Sequence, residues 1–154
     1  MTTRLKKLAA EFSHHKNIDG LLVVNDTNIR YLTDFPAGES WLLVTPQKAV
    51  YITDFRYLLQ ARQGLKGISV KQYTKTPCLV LFDLVRGLKV KRLGFDERHT
   101  SVAQFKKLKQ FCPRRTKLVA AGGLVESLRE IKEQGEIVQI RACLKLHFKA
   151  LDLL

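Results

Sequence analysis

The stretch Gly20-Leu21-Leu22-Val23-Val24, followed by Asn25-Asp26-Thr27 and then by Asn28-Ile29-Arg30-Tyr31-Leu32, decides the fold class. The first five residues form a short apolar run that ends in β-branched side chains, which is typical of a strand buried on both faces. The three polar residues offer side-chain oxygens that can cap a helix, so a helix is predicted directly after the strand. A buried strand that leads at once into a helix is typical of an α/β domain.

The same alternation of strands and helices continues on both sides of this stretch. An amphipathic helix is predicted over residues 3–16, and residues 40–45 and 49–53 predict a β-hairpin. Further strands are predicted at 68–73, 91–95 and 115–119, and further helices at 55–64, 77–87 and 101–111. We therefore predict an α/β domain of three layers, in which a mixed, largely parallel sheet is flanked by helices on both faces.

The C-terminal segment has a different character. From Leu124 onward the chain consists almost entirely of helix formers, and Gly135 is expected to divide them into two helices. The second helix carries an apolar stripe at intervals of three and four residues, formed by Ile137, Ile140, Leu144, Phe148 and Leu151. No glycine, asparagine or proline of the kind that usually closes a helix follows the stripe. Either the stripe packs on the domain itself, or it awaits a further domain; we favour the second interpretation.

Positive charge is concentrated in the middle of the chain. The net charge is +13, and residues 62–117 carry 15 Lys and Arg against 3 Asp and Glu. Such a segment could follow a phosphate backbone, or it could be a solvated basic face. Few aromatic residues lie among the basic ones as stacking platforms, so a nucleic-acid partner is not the favoured interpretation. No apolar segment has the length that an export signal or a membrane helix needs, and we expect a cytoplasmic protein with no membrane partner.

No motif in the residues themselves specifies a metal or catalytic site. The histidines His14, His15, His99 and His147 are not at the spacings that metal ligands adopt, and no metal site is expected in this segment. The cysteines Cys78, Cys112 and Cys143 are widely separated and have no identifiable base beside them. We therefore predict no catalytic residue here.

The string Asp54-Phe55-Arg56-Tyr57 is the most suggestive short motif. Asp54 is a plausible N-cap, and Arg56 would then lie in the first helical turn, where a cation gains nothing from the helix dipole. The planar fork of Arg56 could instead serve a carboxylate or phosphate ligand. Alternatively, it could pair with a nearby acid such as Asp34 or Asp54.

Six strings, taken in order and at their separations, resemble the N-terminal, creatinase-like domain of Xaa-Pro peptidases, namely aminopeptidase P and prolidase of the pita-bread metallopeptidase family. The strings are Asp19-Gly20-Leu21-Leu22-Val23, Asn28-Ile29-Arg30-Tyr31-Leu32-Thr33-Asp34-Phe35, Trp41-Leu42-Leu43-Val44-Thr45, Thr53-Asp54-Phe55-Arg56-Tyr57, Leu93-Gly94-Phe95-Asp96, and Leu128-Arg129-Glu130-Ile131-Lys132 with Glu136-Ile137. The resemblance covers nearly the whole chain.

The resemblance implies a division into a creatinase-like domain over residues 1–132 and the start of a linker helix over residues 133–154. In relatives this helix leads to a C-terminal catalytic domain, a hydrolase with a centre of Mn²⁺, Co²⁺ or Zn²⁺ that cleaves short proline-containing peptides. Those metal ligands lie outside this sequence, so the segment is expected to be inactive alone. Its implied partners are its own catalytic domain and a second copy, as a homodimer.

The implied role is to shape substrate access and the subunit interface. In similar enzymes the loop after the Arg-Tyr-Leu string reaches toward a neighbouring subunit, which here corresponds to residues 34–40. The site residues that the resemblance implies are Asp34, Phe35, Glu39, Asp54, Arg56 and Tyr57. A rival interpretation is a stand-alone binding module, because creatinase-like domains also resemble non-enzymatic domains of histone chaperones. In that case the basic middle segment would bind an acidic peptide or a nucleic acid.

Overall fold

Seven helices and six strands make up the part of the chain that the computed structural model describes, which comprises residues 1–12, 14, 17–36 and 38–152. The helices are α1 Thr3–Glu11, α2 Asp26–Thr33, α3 Phe55–Gly64, α4 Pro77–Gly87, α5 Val102–Phe111, α6 Leu124–Glu130 and α7 Gln134–Leu151. The strands are β1 Gly20–Val23, β2 Trp41–Val44, β3 Ala49–Thr53, β4 Ser69–Gln72, β5 Arg92–Phe95 and β6 Lys117–Ala120. The predicted helix over 3–16 is observed to Glu11, and Ser13, His15 and Lys16 lie outside the described residues.

Most helices begin where a short polar side chain accepts a hydrogen bond from the first turn. The N-caps of this kind are Thr2, Asn25, Asp54, Thr76 and Ser101. Each satisfies a backbone N–H that has no partner within its helix. The expected cap of α3 by Asp54 is therefore confirmed.

The six strands form one sheet in the order β4-β3-β2-β1-β5-β6. β2 runs antiparallel to both of its neighbours, and all other pairs are parallel. The sheet is therefore mixed and largely parallel, as predicted, and β2 with β3 forms the predicted hairpin. The chain builds outward from β1 to β4 on one side and then continues with β5 on the other side of β1.

Helices cover both faces of the sheet. Leu21 and Val23 of β1 pack with α1, α2, α3 and α6 in one apolar cluster, whereas Leu22 packs with α4 and α5 in a second one. All four residues of β1 are buried, which confirms the strand buried on both faces. Burial of a leucine such as Leu22 is worth about 1.5–3 kcal/mol, so the two clusters hold the three layers together.

The C-terminal helices divide at a different residue from the one predicted. α6 ends at Glu130 and α7 begins after its N-cap Glu133, so Gly135 lies inside the first turn of α7 and does not separate the helices. Glu133 and Glu136 form a capping box, in which the backbone N–H of Glu133 donates to the Glu136 carboxylate at 2.9 Å. This box fixes the helix start, and the glycine is carried along within the turn.

α7 has no buried residue over its 18-residue length. Its start is attached to α1, where Lys7 and Arg4 pair with Glu133 at 2.9 and 3.3 Å. The apolar stripe beyond does not pack on the domain, because Phe148 is 59% exposed and Leu144 is 47% exposed. None of the helices among the described residues is long and apolar enough to cross a lipid bilayer.

Candidate functional site

The loop between α2 and β2 is anchored at its start by a buried ring. α2 ends where Asp34 adopts a left-handed conformation with φ of 53°, which turns the chain toward the sheet. Phe35 then enters the core, with 6% of its surface exposed, and meets the ring of Tyr51 edge-on at a centroid distance of 5.8 Å. Phe35 is thus a packing residue, which fixes the first part of the loop.

The far end of the loop is tied to the start of α3 by Arg56. The Asp54 carboxylate accepts a hydrogen bond from the backbone N–H of Arg56 at 2.9 Å. It also accepts hydrogen bonds from Arg56 Nε and Nη2 at 2.8 and 2.6 Å. The same Nη2 atom also donates to Glu39. The Arg56 guanidinium lies 5.3 Å from the ring centroid of Tyr57. Four of the predicted site residues therefore form one cluster.

The fork of Arg56 is directed at carboxylates of this chain. The Arg56 guanidinium binds Asp54, one of the two acids that were predicted as its partners. Its second partner is Glu39, and the other predicted acid, Asp34, binds elsewhere. Hydrogen bonds from the Arg56 side chain lower the pKa of Asp54. The same contacts with Asp54 and Glu39 raise the pKa of Arg56. The cluster is therefore an ion-paired clamp between the loop and α3, in which one guanidinium binds two carboxylates.

Asp34 belongs to a different contact. Its carboxylate binds Arg4 Nη1 at 2.8 Å, and 77% of its side-chain surface is exposed. Arg4 also donates to the backbone oxygen of Tyr31 at 2.8 Å and lies 4.4 Å from the centroid of the Tyr31 ring. The structure therefore places Asp34 at the junction of α1 and α2, away from Arg56.

A second polar cluster lies at the carboxyl edge of the sheet, beside the point where the strand order reverses. Asp96 follows β5, His99 lies three residues later and Glu126 comes from α6. Their ligand-type atoms all lie within 4.8 Å of one another, and His99 Nδ1 is 2.7 Å from an Asp96 oxygen. His99 thus meets two carboxylates although its spacing in the sequence matches no metal-ligand motif, because the parallel β5–β6 pair brings α6 to the end of β5.

The oxygen atoms of this second cluster are already engaged by neighbouring donors. Arg98 Nη2 donates to Glu126 at 2.8 Å, and the backbone N–H of Arg98 donates to Asp96 at 3.0 Å. Asn28 donates to the other oxygen of Glu126 at 2.7 Å. Burial raises the pKa of Asp96, but its hydrogen bonds with His99 and Arg98 outweigh burial and lower that pKa overall. The three side chains could offer ligands to a metal, yet Arg98 and Asn28 satisfy them without one.

The cysteines offer no activated nucleophile. Cys78 is buried and Cys112 is half-buried, whereas Cys143 is exposed on α7. Burial raises the pKa of both the Cys78 and the Cys112 thiols, which disfavours the reactive thiolate.

A mixed α/β sheet wound in both directions from β1, with ion-paired polar clusters at its surface, defines the class of protein: an α/β domain in which the described residues show no assembled catalytic group. The family is more specific, since the model of the creatinase/prolidase N-terminal domain matches residues 4–131. The chain belongs to this family, which confirms the resemblance seen in the sequence.

Three similar proteins show how much of a whole protein the chain represents. An uncharacterised peptidase of Bacillus subtilis (strain 168), YqhT, is 31% identical over 143 residues, which are 93% of this chain and 40% of that protein. The Xaa-Pro dipeptidase from Bacillus anthracis superimposes with a TM-score of 0.81 at 28% identity, over 87% of this chain and 37% of that one. The N-terminal domain of the cytoplasmic peptidase PepQ from Mycobacterium tuberculosis H37Rv gives a TM-score of 0.76 at 30% identity, over 83% and 99%.

The chain therefore spans about two fifths of the length of the two Bacillus relatives that it matches. It corresponds in extent to the separate N-terminal domain of the Mycobacterium tuberculosis peptidase. This correspondence is consistent with a non-catalytic domain of a peptidase.

Proposed function

We propose that the chain is the non-catalytic N-terminal domain of a metal-dependent Xaa-Pro peptidase and that it shapes substrate access and the subunit interface. The observation that carries this proposal is the extent of the match, which includes most of this chain but about two fifths of the Bacillus anthracis dipeptidase. A domain of this kind acts through the catalytic half of its protein. Alone it is expected to hydrolyse nothing.

The domain boundary that we propose lies between Lys132 and Glu133. The family match ends at residue 131, and α7 begins at Gln134 without a buried residue. The apolar stripe on α7 would be covered by the catalytic domain, because an exposed stripe of this length is typical of a surface that packs against a further domain.

The loop of residues 34–40 is the part of the domain that we assign to the substrate entrance or subunit interface. The clamp formed by Glu39, Asp54 and Arg56 supports this role, since it ties the exposed Glu39 of the loop to the start of α3. Tyr57 lies beside the loop and Phe35 packs beneath it. Asp34, the first residue of the loop, binds Arg4. These six residues would therefore act by positioning the loop.

The remaining features of the proposal follow from the family resemblance. We propose a homodimer, proline-containing short peptides as substrates, and a centre of Mn²⁺, Co²⁺ or Zn²⁺ in the catalytic domain. We also propose a cytoplasmic location, which the description of the Mycobacterium tuberculosis relative supports.

A chimeric enzyme tests the proposal. The chain would replace the N-terminal domain of the Bacillus anthracis dipeptidase, and hydrolysis of a proline dipeptide would be measured with Mn²⁺ present. We expect no activity from the chain alone, and an active chimera whose kcat/KM exceeds that of the isolated catalytic domain. Turnover by the chain alone, or a chimera no better than the isolated catalytic domain, would refute the proposal.

Two substitutions on α7 sharpen this test. Leu144→Glu places a charge on the stripe and should weaken assembly of the chimera. Leu146→Glu is the matched control, because Leu146 is 68% exposed and lies off the stripe. Equal loss of activity in both variants would argue against docking through the stripe.

A further inference from the structure

A basic groove lies at the amino edge of the sheet, on the face covered by α4 and α5. It has a volume of about 760 Å³ and runs between the turn that precedes β5 and the loop that precedes β6. Its rim carries four exposed cations: Lys89, Lys91, Arg114 and Arg115. We call this feature the amino-edge groove. It lies on the opposite face of the sheet from α1, where α7 is attached.

The two walls of the amino-edge groove are joined by hydrogen bonds. Thr116 Oγ1 donates to the backbone oxygen of Val90 at 3.1 Å, and the backbone N–H of Lys117 donates to the backbone oxygen of Lys91 at 2.7 Å. Lys89 has a positive φ of 56°, which turns the chain sharply between α4 and β5. These bonds therefore fix the backbone from which the four cations project around the groove.

The positive charge of the rim is not balanced locally. None of the four rim cations forms an ion pair with another described residue, whereas the neighbouring Arg86 binds Asp83. The carboxylate of Asp19 is close in the fold, but it accepts the backbone N–H groups of Lys91 and Arg92 at 2.8 and 2.9 Å. The four rim cations therefore leave the amino edge with an excess of positive charge, of which the nearby Asp19 carboxylate offsets only one unit.

Two of the three acidic residues of the basic middle segment lie away from the groove, and the third, Asp83, pairs with Arg86. Residues 62–117 contain three acids, Asp83, Asp96 and Glu97. Asp96 and Glu97 follow the C-terminal end of β5, at the opposite edge of the sheet from the groove. The groove thus brings together five of the fifteen basic residues of this segment, while Asp96 and Glu97 lie away from it.

The floor of the groove distinguishes between anionic partners. Pro113 and the aliphatic stems of the rim cations form its apolar surface, Val85 and Val90 close it from beneath as core residues, and no aromatic side chain of the described residues lines it. A nucleic acid would find no ring on which to stack its bases, and its phosphate backbone gains nothing from an apolar floor. A peptide that carries both carboxylates and aliphatic side chains matches the rim and the floor together.

We propose that the amino-edge groove binds an acidic segment of a partner protein, whose carboxylates contact Lys89, Lys91, Arg114 and Arg115 and whose aliphatic side chains pack on Pro113 and on the aliphatic stems of these cations. Planar guanidinium groups can bind carboxylates with two parallel hydrogen bonds, which gives the two arginines the larger share of the contact. This binding is independent of peptidase activity and of the surface on α7.

The test measures binding of labelled probes to the 154-residue chain by fluorescence anisotropy at physiological salt. The probe is a short peptide of glutamate, aspartate and leucine, and the comparison probes are the same peptide with serine for leucine and a short DNA duplex. We expect the leucine-containing peptide to bind most tightly. The double variant Lys89→Glu with Arg114→Glu should weaken that binding by about tenfold or more.

The matched control is the double variant Lys106→Glu with Lys109→Glu, which changes the net charge equally on the exposed side of α5. It should retain most of the affinity. Should the groove variant lose its fold by circular dichroism, Lys89→Gln with Arg114→Gln repeats the test with uncharged side chains. Three results would overturn the proposal: equal weakening in both double variants, equal affinity for the serine peptide, or tighter binding of the duplex than of the leucine peptide.

Discussion

Phe35 fills the space that a side chain at Gly64 would need. A Cβ atom on Gly64 would lie 2.6 Å from Cε2 and 2.8 Å from Cδ2 of the Phe35 ring. Because Phe35 is buried and also meets Tyr51, its ring cannot withdraw freely. The last turn of α3 therefore determines where the loop of residues 34–40 begins.

We predict that Gly64→Ala lowers the free energy of unfolding by about 1–3 kcal/mol, because the added methyl group overpacks the Phe35 ring. Chemical denaturation measures the effect. Gly87→Ala is the control, since no atom lies within 4 Å of a Cβ at that position of α4. The control should be as stable as the parent chain or more so, and equal destabilisation of the two variants would contradict the packing argument.

The buried amide of Asn28 connects α2 to α6. It is 1% exposed, donates to Glu126 at 2.7 Å and accepts from Arg129 at 3.0 Å. Asn28→Ala should cost about 1–3 kcal/mol of stability, because it leaves both partners without this bond in a partly buried site. The exposed neighbour provides the control variant, Thr27→Ala, which should be nearly neutral in the same denaturation experiment.

Stability should depend on pH through Asp96. The pKa of Asp96 in the folded chain lies below its ordinary value of 3.8, so ionised Asp96 favours the folded state at neutral pH. This contribution is present above the ordinary value and is lost as pH falls through the lowered one. The stability gap between the parent chain and Asp96→Asn should therefore be largest near neutral pH and shrink in acid.

Unfolding midpoints measured from neutral to acidic pH check this dependence. Asp83→Asn, which removes an exposed carboxylate from α4, is the matched control. A gap for Asp96→Asn that stays constant into acid, or that follows the control, would count against the lowered pKa.

Removal of residues 133–154 should leave the domain folded. α7 contributes no buried residue, and its attachment consists of exposed or partly exposed ion pairs of Glu133 and Glu136 with Arg4 and Lys7. Such pairs are worth at most about 1 kcal/mol each. Thermal unfolding of the truncated chain should therefore remain cooperative with a midpoint close to that of the longer chain; a broad, non-cooperative transition would show that α7 is needed for folding.

Much of the fold follows from local signals in the sequence. Asp54 and Ser101 were identifiable as helix starts because their hydrogen bonds reach only two or three residues along the chain. Gly135 by itself predicts a break between two helices. The prediction is wrong because the capping box of Glu133 and Glu136 starts α7 ahead of this glycine. Glycine in a first turn costs little when neighbouring side chains already fix the helix start.

The candidate site was predictable to the extent that its contacts are local. The pair of Asp54 and Arg56 was among the expected alternatives, whereas Glu39 enters from a loop 17 residues earlier. The spacing of Asp96 and His99 was a signal that could have indicated a cluster. Glu126 could not have been added to them from the sequence, since only the order of the strands brings α6 to that edge.

The central place of β1 has a consequence for how the chain is made. β1 pairs with β2 soon after it in the sequence, but its other neighbour is β5, which ends at Phe95. At a synthesis rate of about 5–20 residues per second, the backbone N–H and C=O groups on one edge of β1 stay unpaired for several seconds until β5 has been synthesised. During this interval the nascent chain presents a bare strand edge that invites pairing with other chains, so a slowed ribosome or an absent chaperone should lower the yield of folded domain.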